Sequence, residues 1–360
     1  MSELDSGIAD CLRSWNHFSG SRLQIQAADL GWNLKAQKLV NYEARKLAGI
    51  PVLVATASAE GLAAGLSAHS LWLSLWGELQ KTGEFIDELY QLARASQKKR
   101  LVFGADEFHF LPGIPTNIPK GRELIRHLRE HQWTLGEVFD LVGRAGSQAA
   151  LRYIDEGEEL AKDRGWTVAA LPVASAEVAE PPTWAAPPTL SGEFELDELD
   201  RFLHQEFPGR WHREFNFWRG RHDTACARWL GLWIKRKLAG FVRIAHRGDP
   251  EVQSDRRSRW IPGALRLPLA AGNLTGEGGA PPDDRAFNDG CLGPIGVAKA
   301  LRGCGAGRVL LAGALSRLNN LGVDHVCIDW TDNESFYKHL GFERVRTYRT
   351  AFLSTLKSTL

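Results

Sequence analysis

Apolar residues recur along the chain at two spacings, and these spacings predict alternating helices and strands. Apolar positions three and four residues apart predict helices over residues 31–48, 84–95, 121–131, 196–207, 305–321 and 334–340. Short apolar runs predict strands over residues 49–55, 101–103, 137–142, 228–235, 238–246, 291–297, 325–330 and 342–351. Strands that alternate with helices favour an α/β or mixed α+β layered fold.

The pattern is interrupted at residues 171–191, which are rich in Pro, Ala and Ser and contain two Pro-Pro pairs. Such a composition favours an extended, semi-rigid backbone. A chain of 360 residues is long enough for two domains of about 100–200 residues each. We therefore predict an N-terminal domain over residues 1–175, a linker over 176–190 and a C-terminal domain over 191–360. A polar stretch rich in Gly and Pro, residues 248–289, predicts a functional lid or a disordered loop.

Composition narrows the class of protein. The hydrophobic fraction of 44% and the charged fraction of 24% are those of a soluble globular protein. A formal net charge of +1 gives no reason to expect nucleic acid or an anionic membrane as a partner. The longest apolar run, residues 225–234, is interrupted by Arg228 and is too short to span a bilayer. Thirteen tryptophans are interpreted as packing residues of the core and of pockets.

The five cysteines show no CxxC spacing and have no histidine cluster beside them, so neither a disulfide framework nor a metal site is predicted. This usage favours a reducing, cytoplasmic setting. The N-terminus is acidic and has no basic segment followed by an apolar core, so no signal peptide is expected. A homodimer is compatible with the sequence.

Candidate chemistry is concentrated in residues 292–311, LGPIGVAKALRGCGAGRVLL. A predicted strand runs into a glycine cluster that opens directly into an apolar-periodic helix. The first turn of a helix leaves backbone N–H groups unpaired and its dipole favours negative charge. Glycines let that backbone approach phosphate oxygens, and Arg302 and Arg308 add positive charge. The segment predicts a phosphate or pyrophosphate site.

The glycine cluster does not match two common phosphate-binding motifs. It lacks the Gly-Lys-Ser/Thr ending of a P-loop, and its spacing is not that of a dinucleotide fingerprint. For the turn taken alone, a tightly packed helix N-terminus without a ligand is an alternative to an anion site.

A second motif, FYKHLGF at residues 336–342, follows the next predicted strand. The two segments together resemble the GNAT superfamily of acyl-CoA N-acyltransferases. The family's cofactor motif, Arg or Gln, two residues, Gly, one residue, Gly or Ala, is matched by Arg302, Gly305 and Gly307. Its next motif, a Tyr four residues before Gly-Phe, is matched by Tyr337 and the following Gly-Phe pair. The resemblance covers about residues 190–360.

The resemblance implies an N-acetyltransferase that moves an acetyl group from acetyl-CoA, its co-substrate, to a primary amine of a small molecule. Tyr337 is expected to donate a proton to the leaving thiolate, since a phenol with a pKa of about 10 is reasonably matched to a thiol with a pKa of about 8.5. The resemblance implies three kinds of cofactor contact: a strand that splays from its neighbour to pair with pantetheine, the amides of the glycine turn that hold the pyrophosphate, and two residues near Tyr337. The strand residues are Ile295, Gly296 and Val297, and the two residues near Tyr337 are Asn333 and Phe336. The turn residues are Arg302, Gly303, Cys304, Gly305, Ala306, Gly307 and Arg308.

The general base is less defined. Asp289 and Cys291 open the cofactor strand and Asp329 ends the next one, so each is a candidate near the reacting amine. Each also has a structural alternative, as a turn residue, a small core residue and a hydrogen-bond acceptor respectively. Many family members have an Asn seven residues before the Tyr, where this chain has Trp330. A nucleophilic Cys304 is less favoured than a small residue that fits a glycine turn.

The N-terminal half resembles a degenerate copy of the second half. Residues 110–115, 121–131 and 138–142 echo the strand, helix and strand around the glycine turn, but neither motif is present. We therefore predict two tandem GNAT-like domains, each a mostly antiparallel mixed sheet flanked by helices, with one cofactor site per chain. The acidic and aromatic residues 106–109 are candidates to face a cationic substrate or to form an exposed turn. The alternative functions are a non-catalytic acyl-CoA sensor or scaffold, and an interaction module based on the N-terminal half.

Overall fold

The computed structural model describes residues 3–19, 40–63, 66–77, 82–103, 113–116, 119–171, 192–209, 211–212, 215–216, 228–246 and 289–354. The chain divides into two compact units. Unit 1 comprises Met1–Phe139 and Arg346–Leu360, and unit 2 comprises Asp140–Val345. The predicted linker, the residue 248–289 stretch and the acidic residues 106–109 lie almost wholly outside the described residues.

Unit 1 is a layered α/β structure. Its elements are α1 (Glu3–Ser19), β1 (Val40–Leu47), β2 (Ile50–Ala57), α2 (Ala59–Ala63), β3 (Ser70–Leu75), α3 (Thr82–Ala95), β4 (Arg100–Phe103), β5 (Ile114–Pro115), α4 (Pro119–Glu130), most of β6 (Thr134–Gly143) and most of β12 (Glu343–Ser354). The strand order in this unit includes β1-β2-β3-β4-β12. Four aromatic side chains, Trp15, Trp76, Phe103 and Trp133, pack edge to face in sequence at 5.0, 5.1 and 5.4 Å between ring centroids. Offset and edge-to-face contacts of this kind stabilise aromatic cores.

Unit 2 holds both predicted cofactor motifs. Its elements are the end of β6, α5 (Gln148–Arg164), β7 (Trp166–Ala170), α6 (Gly192–Glu206), β8 (Arg228–Ile234), β9 (Lys237–His246), β10 (Asp289–Val297), a 3₁₀ turn (Lys299–Leu301), α7 (Ala306–Asn320), β11 (His325–Thr331), α8 (Glu334–Lys338) and the start of β12. The strand order is β11-β10-β9-β8-β7, with the end of β6 beside β11. The strands predicted over residues 228–235 and 238–246 are β8 and β9, which pair antiparallel as a hairpin.

Helices of unit 2 cover both faces of this sheet. Phe241 of β9 packs in a buried cluster with Leu199, Phe202 and Leu203 of α6. A Cβ placed on the preceding residue, Gly240, would instead lie 3.4 Å from a side-chain atom of α7. Because successive strand residues point to opposite faces, α6 and α7 lie on opposite sides of the sheet.

One predicted helix is wrong where the structure describes it. Residues 40–47 of the helix expected over residues 31–48 form β1, which pairs antiparallel with β2 from Val40↔Ala57 to Leu47↔Ile50. The turn between the strands has positive φ at both Ala48 and Gly49, as a two-residue hairpin turn requires. Cross-strand pairing overrides the helical spacing of a few apolar residues.

Unit boundaries differ from the domain limits expected from composition. Residues 140–171, which include α5 and β7, belong to unit 2, and β7 pairs antiparallel with β8 along its whole length. Residues from Arg346 onward belong to unit 1, where Ala351–Ser354 pair with β4. The limits predicted at residues 175 and 191 therefore stay a prediction of where the linker lies. The two compact units begin and end at other residues. No helix among the described residues is long and apolar enough to cross a bilayer.

A pair of stacked histidines makes the stability of unit 1 pH-dependent. The rings of His127 and His131 stack at 4.1 Å. Burial first, and then the neighbouring His131, lower the pKa of His127 below its ordinary value of 6.5. The folded state then binds this proton less readily than the unfolded chain, so the stabilising contribution of neutral His127 is fully present above the unfolded pKa and is lost as the pH falls through the lowered folded pKa.

We expect the urea midpoint to fall as the pH is lowered from about 7 to about 5, and to fall less in His127→Gln, which does not titrate. His69→Gln, at an exposed position of the same unit, is the matched control and should keep the wild-type pH dependence. Equal acid dependence in His127→Gln and the wild type would contradict this prediction.

Candidate functional site

β10 has strand partners on both sides at its start and diverges from one of them. Against β9 its antiparallel pairing continues to Val297↔Gly240, with a bulge before Ile295. Against β11 the parallel register ends at Cys291↔Cys327, although β11 continues to Thr331. The backbone of residues 292–297 therefore presents an edge on which an extended chain can form hydrogen bonds.

The turn after β10 depends on two glycines with left-handed backbone. Gly303 has φ of +79°, and no described atom lies within 4 Å of the position that its Cβ would take. Gly305 has φ of +94°, and a Cβ there would lie 2.7 Å from Leu160 Cδ2. A side chain is thus excluded at Gly305 by both conformation and space, whereas the surface at Gly303 is open.

α7 begins immediately after this turn, as the sequence predicts. The first intrahelical bond is donated by Val309 N to Gly305 O at 3.1 Å. The amides of Ala306, Gly307 and Arg308 precede it and belong to the first helical turn, whose N–H groups have no intrahelical acceptor. These N–H groups point out of the N-terminal end of α7, where the helix dipole favours anions.

The two sequence motifs meet in the structure. A Cβ on Gly307 would lie 3.5 Å from Phe336 Cζ, so the first turn of α7 packs against the ring of Phe336 on α8. The neighbouring Tyr337 is 4% exposed, and its ring lies 4.9 Å from that of Phe336 and 6.1 Å from that of Phe342. Residues separated by about thirty positions thus form one site.

An ion pair holds the start of α8. Arg344 of β12 pairs with Glu334, and this hydrogen bond lowers the pKa of the Glu334 carboxyl. Asn333 lies just before the helix, where its side chain accepts a hydrogen bond from the Ser335 hydroxyl at 3.0 Å. Asn333 is exposed at this point.

The face of β10 opposite α7 is covered by Phe207, which follows α6. A Cβ on Gly296 would lie 2.7 Å from Phe207 Cζ, so the absence of a side chain at Gly296 makes room for this ring. The Arg302 guanidinium lies 6.0 Å from the centre of the same ring, at the outer limit of a cation–π contact. Glu206 accepts a hydrogen bond from the backbone N of Lys299 at 2.8 Å and ties α6 to the turn.

α5 packs against the glycine turn from the α7 side. The absence of a side chain at Gly157 allows close approach to Ala312 of α7. Arg308 forms an ion pair with Glu156 and lies 5.0 Å over the ring of Tyr153. Burial raises the pKa of Tyr153 to about 12, against an opposing effect of Arg308. The Arg308 side chain is thus oriented by α5.

The cysteine of the turn has a structural contact. Cys304 is partly buried, and its Sγ donates to Leu301 O at 2.9 Å. This position agrees with a small side chain that fits a glycine turn. Cys291 is buried in β10.

The acid candidates differ in their backbone positions. Asp289 is the first residue of β10 and stands opposite His325, at the end where β10 and β11 are still paired. Asp329 lies in the part of β11 beyond that pairing. The structure describes neither side chain, so both assignments stay predictions. No group of three or more metal-ligating side chains occurs among the described residues.

Sequence reasoning missed the contributions of α5 and of Phe207. α5 carries a visible signal, because Ser147 caps its start by accepting from Ala150 N at 3.1 Å and Gly165 ends it with φ of +62°. Ser before a helix and Gly after it are standard boundary signals. The role of Phe207 has no sequence signal, since it depends on the space above Gly296.

Comparisons with known proteins agree with this geometry. Residues 193–342 match the model of the Acetyltransferase (GNAT) family. A glucosamine N-acetyltransferase region of a fungal multi-domain β-N-acetylglucosaminidase is 17% identical with a TM-score of 0.66, over 98% of this chain and 37% of that one. A tandem GNAT protein from the clavulanic acid biosynthesis pathway is 13% identical with a TM-score of 0.50, over 99% and 96%. A GCN5-related N-acetyltransferase from Sphaerobacter thermophilus is 10% identical with a TM-score of 0.50, over 97% and 92%.

The chain has a mixed α/β fold similar to that of tandem GNAT proteins, as the sequence predicts. Residues 193–342 carry the match to the GNAT family model, and acyl transfer is the general activity of that family. This chain spans 37% of the length of the fungal protein. A search of curated proteins finds no match.

The residues present fit the acyl-CoA that such domains generally use. The open surface at Gly303 and the first-turn amides of α7 suit a pyrophosphate, which needs close backbone approach and donors. The divergent edge of β10 suits the amide-containing pantetheine arm. Arg302 lies beside the turn and adds positive charge.

Proposed function

We propose that the chain is an N-acetyltransferase that moves the acetyl group of acetyl-CoA to a primary amine of a small molecule by direct attack. The observation that carries the proposal is the contact between Gly307 and Phe336, which brings the segment that holds the buried Tyr337 to the turn that we expect to bind the pyrophosphate. The divergence of β10 from β11 supplies the slot for the rest of the co-substrate.

Each step uses a group of this chain. When bound, acetyl-CoA supplies the acetyl group as a thioester. The amine nitrogen bonds to the carbonyl carbon, and the backbone near Val297 stabilises the developing oxyanion. The carbon–sulfur bond then breaks, and the sulfur takes the proton of the Tyr337 hydroxyl. The amine gives up its proton through water or to Asp329, whose backbone lies in the divergent part of β11.

An amino sugar is the first acceptor to test. The similar fungal region is described as a glucosamine N-acetyltransferase, and the net charge of +1 does not favour a polyanionic partner. We place the enzyme in the cytoplasm, in keeping with the odd number and wide spacing of its five cysteines.

A non-catalytic acyl-CoA sensor is the second candidate. It is favoured by the backbone position of Asp289 at the paired end of β10 and β11, which lies away from the divergent segment. The sensor predicts binding without turnover.

Protection of Cys304 from alkylation tests the cofactor site directly. Cys304 lies within the glycine turn and is partly exposed, so acetyl-CoA or free coenzyme A is expected to slow its reaction with iodoacetamide several-fold. Peptide mass spectrometry follows each cysteine separately. Cys11 is the internal control, because burial first, and then Asp10, raise its pKa to about 12 and keep the thiol protonated and slow.

The same samples are assayed for acetyl transfer to a panel of amines that includes glucosamine. Protection with transfer supports the enzyme, and protection without transfer to any amine supports the sensor. An unchanged alkylation rate of Cys304 at saturating acetyl-CoA would remove both.

A further inference from the structure

Two uncommon features meet at the end of β11. Trp330 has φ of +51°, in the left-handed region that bulky residues rarely adopt. Asp140, at the end of β6, is 2% exposed, although carboxylates are seldom buried to this degree. Asp140 Oδ1 accepts a hydrogen bond from the backbone N of Trp330 at 3.2 Å.

The position of Trp330 gives this bond a consequence for the site. Trp330 lies three residues beyond Cys327, where the pairing of β11 with β10 ends. The chain leaves the sheet after Thr331 and forms α8, which carries Phe336 and Tyr337. The backbone conformation of Trp330 therefore sets the direction in which β11 delivers the helix that bears the proton donor.

Asp140 also lies outside the segment that matches the family model, which begins at residue 193. It belongs to unit 2 through the end of β6, next to β11 in the sheet. A left-handed bulky residue persists only where its surroundings hold it. A charged acceptor is well suited to this task, because a hydrogen bond to a carboxylate is stronger than one to a neutral oxygen.

We propose that Asp140 is a positioning residue of the acyltransferase, which holds Trp330 in its left-handed conformation and thereby aims α8 and Tyr337 at the leaving sulfur. The inference rests on the proposed function. Asp140 is 2% exposed, and its proposed role requires an acceptor oxygen at this point and not a proton transfer.

Two variants separate positioning from general stability. Asp140→Ala removes the acceptor and is expected to lower kcat about tenfold, because small misplacements of reacting groups are costly. The KM for acetyl-CoA should change little, since the glycine turn is untouched. Asp140→Asn keeps an oxygen acceptor and is expected to retain kcat within about threefold of the wild type. All assays are run well below the measured Tm of each variant.

A matched pair at position 330 tests the link to backbone conformation. Trp330→Gly and Trp330→Ala both remove the indole, but only glycine adopts a positive φ without strain. Adding Asp140→Ala should therefore lower kcat in the alanine background and leave it nearly unchanged in the glycine background. This comparison also serves if Asp140→Ala alone does not fold.

The outcomes are distinct. An unchanged kcat in Asp140→Ala would overturn the proposal, as would equal losses in the Asn and Ala variants, because an acceptor oxygen kept at this point would then make no difference. Equal losses in the two position-330 backgrounds would overturn it as well. If the wild type transfers acetyl to no amine in the same assay, the proposed function has failed instead.

Discussion

Tyr337→Phe is expected to lower kcat for acetyl transfer by about a hundredfold or more, which is the usual contribution of a positioned general acid. The substitution keeps the ring, and with it the contacts to Phe336 and Phe342, and removes only the hydroxyl. The KM for acetyl-CoA should stay close to that of the wild type, because the glycine turn is unchanged. Steady-state kinetics with a saturating amine measures both constants.

Tyr348→Phe is the matched control for this prediction. Tyr348 is also buried, at 1% exposure, but it belongs to unit 1. Any loss of stability common to removing a buried hydroxyl will appear in both variants, and only Tyr337→Phe should lose turnover. Unchanged transfer by Tyr337→Phe would remove Tyr337 from the acid role.

Gly305→Ala is expected to weaken acetyl-CoA binding by about tenfold or more. The turn of the free variant can relax out of the left-handed conformation, and returning to it on binding costs about 1–2 kcal/mol, where about 1.4 kcal/mol is tenfold in affinity. The new methyl group would also lie 2.7 Å from Leu160 Cδ2, so the end of the Leu160 side chain must move. Calorimetric titration with acetyl-CoA gives the dissociation constant.

Three further substitutions divide this effect into its causes. Gly303→Ala adds conformational strain, since φ there is +79°, and places a methyl group on the open surface that we propose for the pyrophosphate, so it should weaken binding without a collision with Leu160. Leu160→Ala combined with Gly305→Ala removes the collision and keeps the strain, so affinity should recover in part. Gly83→Ala, in α3 with open space and an ordinary φ, should leave acetyl-CoA binding unchanged. Wild-type affinity in Gly305→Ala would show that the turn does not hold the co-substrate.

The motifs of unit 2 were predictable from the sequence because their chemistry is local. A glycine cluster followed by an apolar helix predicts the turn that Gly303 and Gly305 form, since few other residues tolerate a positive φ. The order and spacing of the glycine turn and Tyr337 resemble those of the two family motifs, and the structure brings the two motifs into contact through Gly307 and Phe336. The predicted limits of the strands around the motifs were also close to the observed limits, because a buried strand is a continuous run of apolar residues.

Errors arose where distant partners decide the structure. β1 has an apolar spacing that suits a helix, and only its pairing with β2 makes it a strand. Pairing also decides where residues 140–171 pack, since β7 pairs with β8 and α5 packs on α7 in unit 2, and the Pro-rich break does not reveal this. Sheet pairing is non-local, so a composition boundary does not reveal which strand a segment joins.

The sequence by itself determined the glycine turn, the helix that follows it, the tyrosine of the second motif and the mixed α/β class, because backbone conformation and hydrophobic periodicity depend on neighbouring residues. Tertiary structure alone decided that Gly307 meets Phe336, that Phe207 fills the space above Gly296, and that Asp140 and Tyr153 come from an earlier part of the chain to contact the site. These contacts join residues far apart in sequence, and their energies come from burial and hydrogen bonds that exist only once the strands have paired.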